Sequence, residues 1–202
     1  MRGNLQAEYL MRSREGRRAT LDALHQRIRR CRKCRLCESR TRAVPGEGPL
    51  SAPVMFVGEA PGAAEDAEGR PFVGRAGTFV DEMLRRIGLT RARVLITNNV
   101  KCRPPQNRAP RNDELTVCRE HWLDRQIDLV APGIVVLLGM AAIRQRFGGT
   151  PQVSKLHGKA RTLGGQTYFL TYHPASAMRF PNVGKAMHDD VERLKTLLQT
   201  NP

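Results

Sequence analysis

Four short apolar segments, 53–58, 93–98, 134–139 and 167–172, alternate with stretches of helical period, and few architectures satisfy that alternation. Each segment is rich in β-branched or aromatic residues, as strands are. The third, Ile134-Val135-Val136-Leu137-Leu138-Gly139, is apolar almost throughout, the mark of a strand buried on both sides. The helical stretches are 77–88, 112–130 and 140–147, with a last one over about 184–199. Strands alternating with helices predict an α/β fold whose parallel sheet is covered on both faces. Upstream, Thr20 is placed to cap a helix in which Leu21, Leu24 and Ile28 recur at three- and four-residue spacing. Residues 1–19 read as a mobile extension, and 20–202 as one domain large enough to bury a substantial core.

The charge balance narrows the partner. There are 34 Lys and Arg against 19 Asp and Glu, a formal charge of +15. So basic a chain suits a polyanion, most commonly nucleic acid; the plainer explanation is an Arg-rich composition with no binding patch. The most apolar run, 134–143, is ten residues, half of the roughly 20 needed to span a bilayer. The polar, Arg-rich N-terminus has no hydrophobic targeting core. The expectation is a cytoplasmic protein with no membrane association, and with nothing to indicate an oligomer, a monomer.

In that compartment cysteines favour metals over disulfides. Cys31-Arg32-Lys33-Cys34 is a C-x-x-C pair, Cys37 follows, and Cys102 and Cys118 lie far downstream. A C-x-x-C pair with two distant cysteines suits a four-thiolate site for zinc or for an iron–sulfur cluster, and spacing does not choose between them. Neighbouring Arg and Lys would favour the thiolates. Such a site would tie together distant parts of the chain, a structural role.

The strands end in polar residues. After 53–58 comes Gly58-Glu59-Ala60-Pro61-Gly62, then Glu65-Asp66 and a Gly/Pro-rich loop carrying Phe72. Open α/β sheets place ligands at the carboxyl ends of their strands. Of Glu59, Glu65 and Asp66, one or more is available for acid–base or water-orienting work, and at least one suits a helix cap. Phe72 can stack on an extruded base or pack under its loop. Asn98 can read a base edge with two hydrogen bonds or serve an ordinary turn. His173, at a strand terminus and followed by Pro174, is placed to face a cleft. Met178-Arg179-Phe180-Pro181 sets apolar wedges beside a cation, as in proteins that kink a duplex, or simply forms a surface loop.

Taken together, these residues resemble the type-4 uracil-DNA glycosylases of the uracil-glycosylase superfamily. The resemblance rests on Gly58-Glu59-Ala60-Pro61-Gly62, Glu65-Asp66, Gly69-Arg70-Pro71-Phe72-Val73-Gly74-Arg75-Ala76-Gly77, Ile96-Thr97-Asn98, Val100-Lys101-Cys102-Arg103-Pro104-Pro105 with Asn107-Arg108, and His173-Pro174-Ala175. It covers about residues 28–197. It implies a three-layer α/β/α sandwich on a four-stranded parallel sheet, and a [4Fe–4S] cluster on Cys31, Cys34, Cys102 and Cys118, with Cys37 spare. It further implies a monofunctional enzyme that flips uracil out of DNA and hydrolyses its glycosidic bond, starting base excision repair. In that scheme Glu59 activates water and His173 stabilises the uracil anion. Phe72 stacks on the base, Asn98 reads its edge, and the backbone of Gly58, Ala60, Pro61 and Gly62 shapes the pocket. Glu65 lies where thymine's methyl group would be excluded, and Ser176, Met178 and Arg179 belong to the element that wedges the duplex.

Related branches differ at readable positions. Type-5 enzymes resemble this layout but lack a carboxylate at the position of Glu59. Relatives that trap uracil DNA covalently carry Gln in place of Ala60 and a histidine between the third and fourth cysteines, where this chain has none. Two other readings stand beside uracil excision: a non-catalytic nucleic-acid-binding protein with a metal site, and a glycosylase for another deaminated base such as hypoxanthine or xanthine. No sliding-clamp contact is legible in the chain.

Overall fold

The computed structural model describes residues 14–200, with side chains from Gly16 onward except that of Arg17. The expected extension over 1–19 therefore lies outside the described residues as far as residue 13. Helix α1, Arg14–Arg29, already includes residues 14–19. Thr20 consequently lies within the helix and not at its cap: its Oγ1 donates to the Gly16 carbonyl at 2.7 Å. Leu21, Leu24 and Ile28 form its buried face as the spacing predicts.

Strands β1 (Val54–Gly58), β2 (Leu95–Asn98), β3 (Ile134–Leu138), β4 (Lys159–Leu163) and β5 (Gln166–Thr171) form one sheet in the order β2-β1-β3-β5-β4. The four expected strands pair in parallel, with Phe56 beside both Ile96 and Val136, and Val136 beside Phe169. The fifth, β4, was not expected. It pairs antiparallel with β5 through the two-residue Gly164-Gly165 turn, both glycines at positive φ, the geometry that matches strand twist. All five residues of β4 are exposed, so it has no apolar alternation to reveal it. The opposite edge is covered, because Glu47 exchanges backbone hydrogen bonds of 2.9 and 2.8 Å with Ile96 of β2.

Side-chain alternation divides the core in two. Val54, Phe56, Ile96, Val136 and Phe169 point toward α3 (Arg75–Arg86, after the short α2, Ala63–Glu68) and the last helix, meeting Val80, Leu84, Met187 and Val191. Met55, Val57, Leu95, Val135 and Leu137 point the other way, toward α1 and the helical segment over 112–130, meeting Leu24, Ile28, Trp122 and Ile127. That segment comprises α4 (Asn112–Cys118), a π-turn over Arg119–Leu123 and α5 (Asp124–Val130), ending where Ala131 turns left-handed before Pro132. Helices α6 (Met140–Phe147), α7 (Val153–Leu156), α8 (Pro174–Arg179) and α9 (Pro181–Thr200) complete the three layers. No helix among the described residues is long and apolar enough to cross a membrane.

The carboxyl end of β5 is fastened to α9 by a buried carboxylate. Asp190 accepts from Thr171 Oγ1 at 2.6 Å and pairs with His157 Nδ1 at 2.9 Å. Asp190→Ala is expected to cost about 1–3 kcal/mol by leaving these groups without a partner, measured as a lower urea midpoint at unchanged slope.

Candidate active site

Between β1 and β3 the direction of strand addition reverses, and a pocket of about 360 Å³ opens at the carboxyl ends of the strands. Glu59 enters it from β1, Asn98 from β2 and His173 from β5, while the loop after Gly58 supplies Ala60, Pro61, Gly62, Glu65 and Phe72. The strand-end residues picked out in the sequence thus share one cavity.

Gly58 is where that convergence is tightest. A Cβ there would collide with Asn98 Oδ1 and with the Phe72 ring. Only hydrogen lets the amide and the aromatic face meet over this strand end. Phe72 is 5 % exposed, with its ring centroid 6.2 Å from that of His173. It adopts φ 51°, a left-handed conformation uncommon for a bulky side chain.

The Asn98 carboxamide oxygen is buried without a hydrogen-bond partner. A polar atom stranded in this way costs about 1–3 kcal/mol, and Asn98 is among the residues that line the pocket.

The three acidic candidates have separate fates. Glu65 accepts from the backbone N–H groups of Gly62, Val73 and Gly74 at 3.0, 3.0 and 2.9 Å, so its carboxylate fastens the loop that carries Phe72. Asp66 is buried and receives the N–H groups of Thr41 and Arg42. Only Glu59 of the three faces the cavity without such ties to the backbone. Burial raises the pKa of its carboxyl, and the Arg144 guanidinium partly opposes that shift.

At His173 the tautomer follows from the geometry. The Ala175 N–H donates to Nδ1 at 3.2 Å, capping α8, so Nδ1 is the acceptor and Nε2 carries the proton. Burial lowers its pKa to about 4, leaving the imidazole neutral near pH 7.

The segment expected to wedge a duplex is helical rather than a loop: α8 carries Ser176, Met178 and Arg179. Pro174 at its first position starts a helix with no lost donor. Met178 and Phe180 are 42 and 48 % exposed, and Met178 and Arg179 line a hollow with Arg75 beside the pocket.

The sequence reading assigned no role to Pro104, Asn107 or Arg108, yet all three line the pocket. Gln106 and Asn107 both stand at φ 55°, and Arg108 is clasped by Glu114 at 2.7 and 2.9 Å. The available signal is Pro104-Pro105, two residues beyond Cys102, where the fixed φ of each proline restricts the path of the chain after β2.

Cys31 and Cys34 pack against the same core cluster as the buried Cys102 and Cys118, at the pole where α1, the loop after β2 and α4 meet. Arg40 donates to Cys102 Sγ at 2.9 Å. Burial pushes the Cys102 thiol up to about 11 and the Cys118 thiol to about 12. Among the described residues, no three His, Cys, Asp or Glu side chains are grouped to hold a metal ion. A four-iron cluster takes each thiolate on a separate iron, a wider spread than tetrahedral ligation around one ion. Four thiols with a guanidinium donor suit such a soft, anionic group. Lys101 lies between this pole and the pocket: fully buried, it donates from Nζ to Thr97 Oγ1 at 2.7 Å and to the Asn98 carbonyl at 2.8 Å. Burial draws its pKa down to about 7.

The family model described as the Uracil DNA glycosylase superfamily matches residues 45–196. A type-4 uracil-DNA glycosylase from Sulfurisphaera tokodaii is 44 % identical over 190 residues, covering 90 % of this chain and 86 % of the relative. One from Thermotoga maritima is 37 % identical over 187 residues, covering 91 % and 97 %. A type-5 uracil-DNA glycosylase from Pyrobaculum aerophilum is 35 % identical over 152 residues, covering 66 % of each chain.

His25 supplies a pH test that is separate from the pocket. Burial holds it near pKa 4, against 6.5 in the unfolded chain, as it does His173. Between those values the folded protein binds fewer protons than the unfolded one, so stability falls as pH drops from about 6.5 to 4. His25→Gln should lose less stability than the parent between pH 7 and pH 5, whatever its starting value, when urea midpoints are compared.

Proposed function

Because the chain belongs to the uracil-DNA glycosylase superfamily, and to its type-4 branch, we propose that it hydrolyses the bond between uracil and deoxyribose in DNA, beginning base excision repair. The observation that carries this reading is the stranded Asn98 oxygen beside Phe72. An acceptor there takes the N3–H of uracil; cytosine presents an acceptor at N3 and would leave the oxygen unpaired.

The substrate nucleotide is flipped from single strands or from U·G and U·A pairs, at a cost of a few kcal/mol that is least for a mismatch. Phe72 stacks on the extruded ring and Asn98 holds its Watson–Crick edge. The backbone of Gly58, Ala60, Pro61 and Gly62 forms one wall. Glu65, immobilised by three amides, forms another. A wall so fixed cannot yield to thymine's additional methyl group. From α8, Ser176, Met178 and Arg179 enter the duplex beside the vacated position, and the net positive charge holds the phosphates.

As the bond between C1′ and N1 breaks, its electron pair leaves with the base and the sugar becomes oxocarbenium-like. His173, neutral and donating through Nε2, hydrogen-bonds the uracil carbonyl oxygen that gains charge, the logic of an oxyanion hole. Glu59 orients the water whose oxygen bonds to C1′ and accepts its proton, which then passes to solvent or to the departing uracil. A [4Fe–4S] cluster fits Cys31, Cys34, Cys102 and Cys118, where its iron–thiolate bonds would cross-link α1, the loop after β2 and α4; Cys37 remains outside that set. The protein acts as a cytoplasmic monomer on uracil-containing DNA.

The test is alkaline cleavage of a labelled oligonucleotide carrying one uracil. His173→Ala should lose about 10²–10³-fold in single-turnover rate, the usual cost of one oxyanion donor. Intact protein that binds the DNA and yields no abasic site would overturn the reading in favour of a binding protein or another lesion base. The rate should fall on acidification as the raised Glu59 pKa is crossed, because the water-orienting form is the carboxylate. Glu59→Gln should be slow at every pH and lack that limb, measured as log rate against pH between 4.5 and 8.

A further inference from the structure

Phe72 is held in its strained conformation by contacts on both sides. After it in the chain, the N–H groups of Val73 and Gly74 are bound by Glu65. Before it, and on its own carbonyl, a single guanidinium acts: Arg91 donates from one terminal nitrogen to the Pro71 carbonyl at 3.1 Å and from the other to the Phe72 carbonyl. Its Nε is anchored on Asp81 of α3 at 2.6 Å. Arg91 lies in the short turn before β2, twenty residues from the loop it grips, and its side chain is 21 % exposed. The Phe72 carbonyl also passes against Gly77, where a Cβ would collide with it.

We infer that Arg91 is a positioning residue for the stacking ring. By binding two successive carbonyls in the fork geometry that only a guanidinium offers, it keeps Phe72 left-handed, with its ring over Gly58 and facing His173. A phenylalanine released from this grip relaxes toward negative φ, and its ring swings away from the slot. Arg91 touches neither base nor sugar; it acts through Phe72, so the inference rests on Phe72 being the stacking platform.

The test compares Arg91→Met, Arg91→Lys, Phe72→Ala and Arg91→Met/Phe72→Ala in the full chain, using single-turnover cleavage of a uracil-containing single strand and inhibition by free uracil. Arg91→Met should weaken inhibition by free uracil and raise the enzyme concentration for half-maximal rate, each by ~10–100-fold, the scale of an ångström-sized misplacement. Its melting temperature should stay within a few degrees of the parent's, and Arg91→Lys, which can hold only one carbonyl well, should fall between. In the Phe72→Ala background, Arg91→Met should add little, because its target is gone. If Arg91→Met matches the parent while Phe72→Ala is impaired, or if the two losses multiply, the positioning role is wrong. If Phe72→Ala itself costs nothing, the stacking role fails, a distinct result. Should Arg91→Met not fold, Arg91→Lys decides the matter by the same comparison.

Discussion

A parallel sheet buried on both faces gives polar side chains one place to meet without being forced into hydrocarbon, the carboxyl edge of its strands. The strand-end part of the pocket follows from that restriction. The strands β1 and β3 are buried from end to end, and the first polar groups come only where they stop. Because three strands end together, Glu59, Asn98 and His173 converge although they are far apart in the chain. Gly58 sets how closely Asn98 and Phe72 approach.

The loop that completes the pocket is unusual in how its backbone is satisfied. Short helices and turns leave amide and carbonyl groups unpaired, and here charged side chains take them up: Glu65 binds three N–H groups, Asp66 two and Arg91 two carbonyls. Much of the charge near the pocket therefore builds the scaffold. Among the polar side chains that line the pocket, Glu59 has no such tie to the backbone, the Asn98 carboxamide oxygen has no partner, and His173 carries its proton on Nε2.

Much of this was legible in the sequence, and the rest was hidden for identifiable reasons. The four parallel strands were visible because double-sided burial writes itself as continuous apolar runs. β4 was invisible because a fully exposed strand carries no such pattern, although Gly164-Gly165 did announce a hairpin. The start of α1 was misplaced because a threonine suits both a cap and a helical turn that bonds back to the fourth preceding carbonyl. Glu59, Asn98 and His173 stood out by lying at strand ends. The separate duties of Glu65 and Asp66 did not, since which backbone amides a carboxylate meets depends on loops that sequence spacing does not describe. The roles of Pro104, Asn107 and Arg108 were obscured likewise by two consecutive left-handed residues.

The two edges of the sheet differ in a way that bears on life along a DNA strand. The β2 edge is sealed by the backbone of Glu47, whereas among the described residues no strand pairs with the outer edge of β4, which has Lys159 and Arg161 among its five residues. Proteins gathered on one polyanion reach high local concentrations, at which an open strand invites another copy to extend the sheet. Two such edges brought together would set cation against cation. The strand is thus self-repelling, and the same positive charge that suits a polyanion disfavours extension of the sheet from one copy to the next.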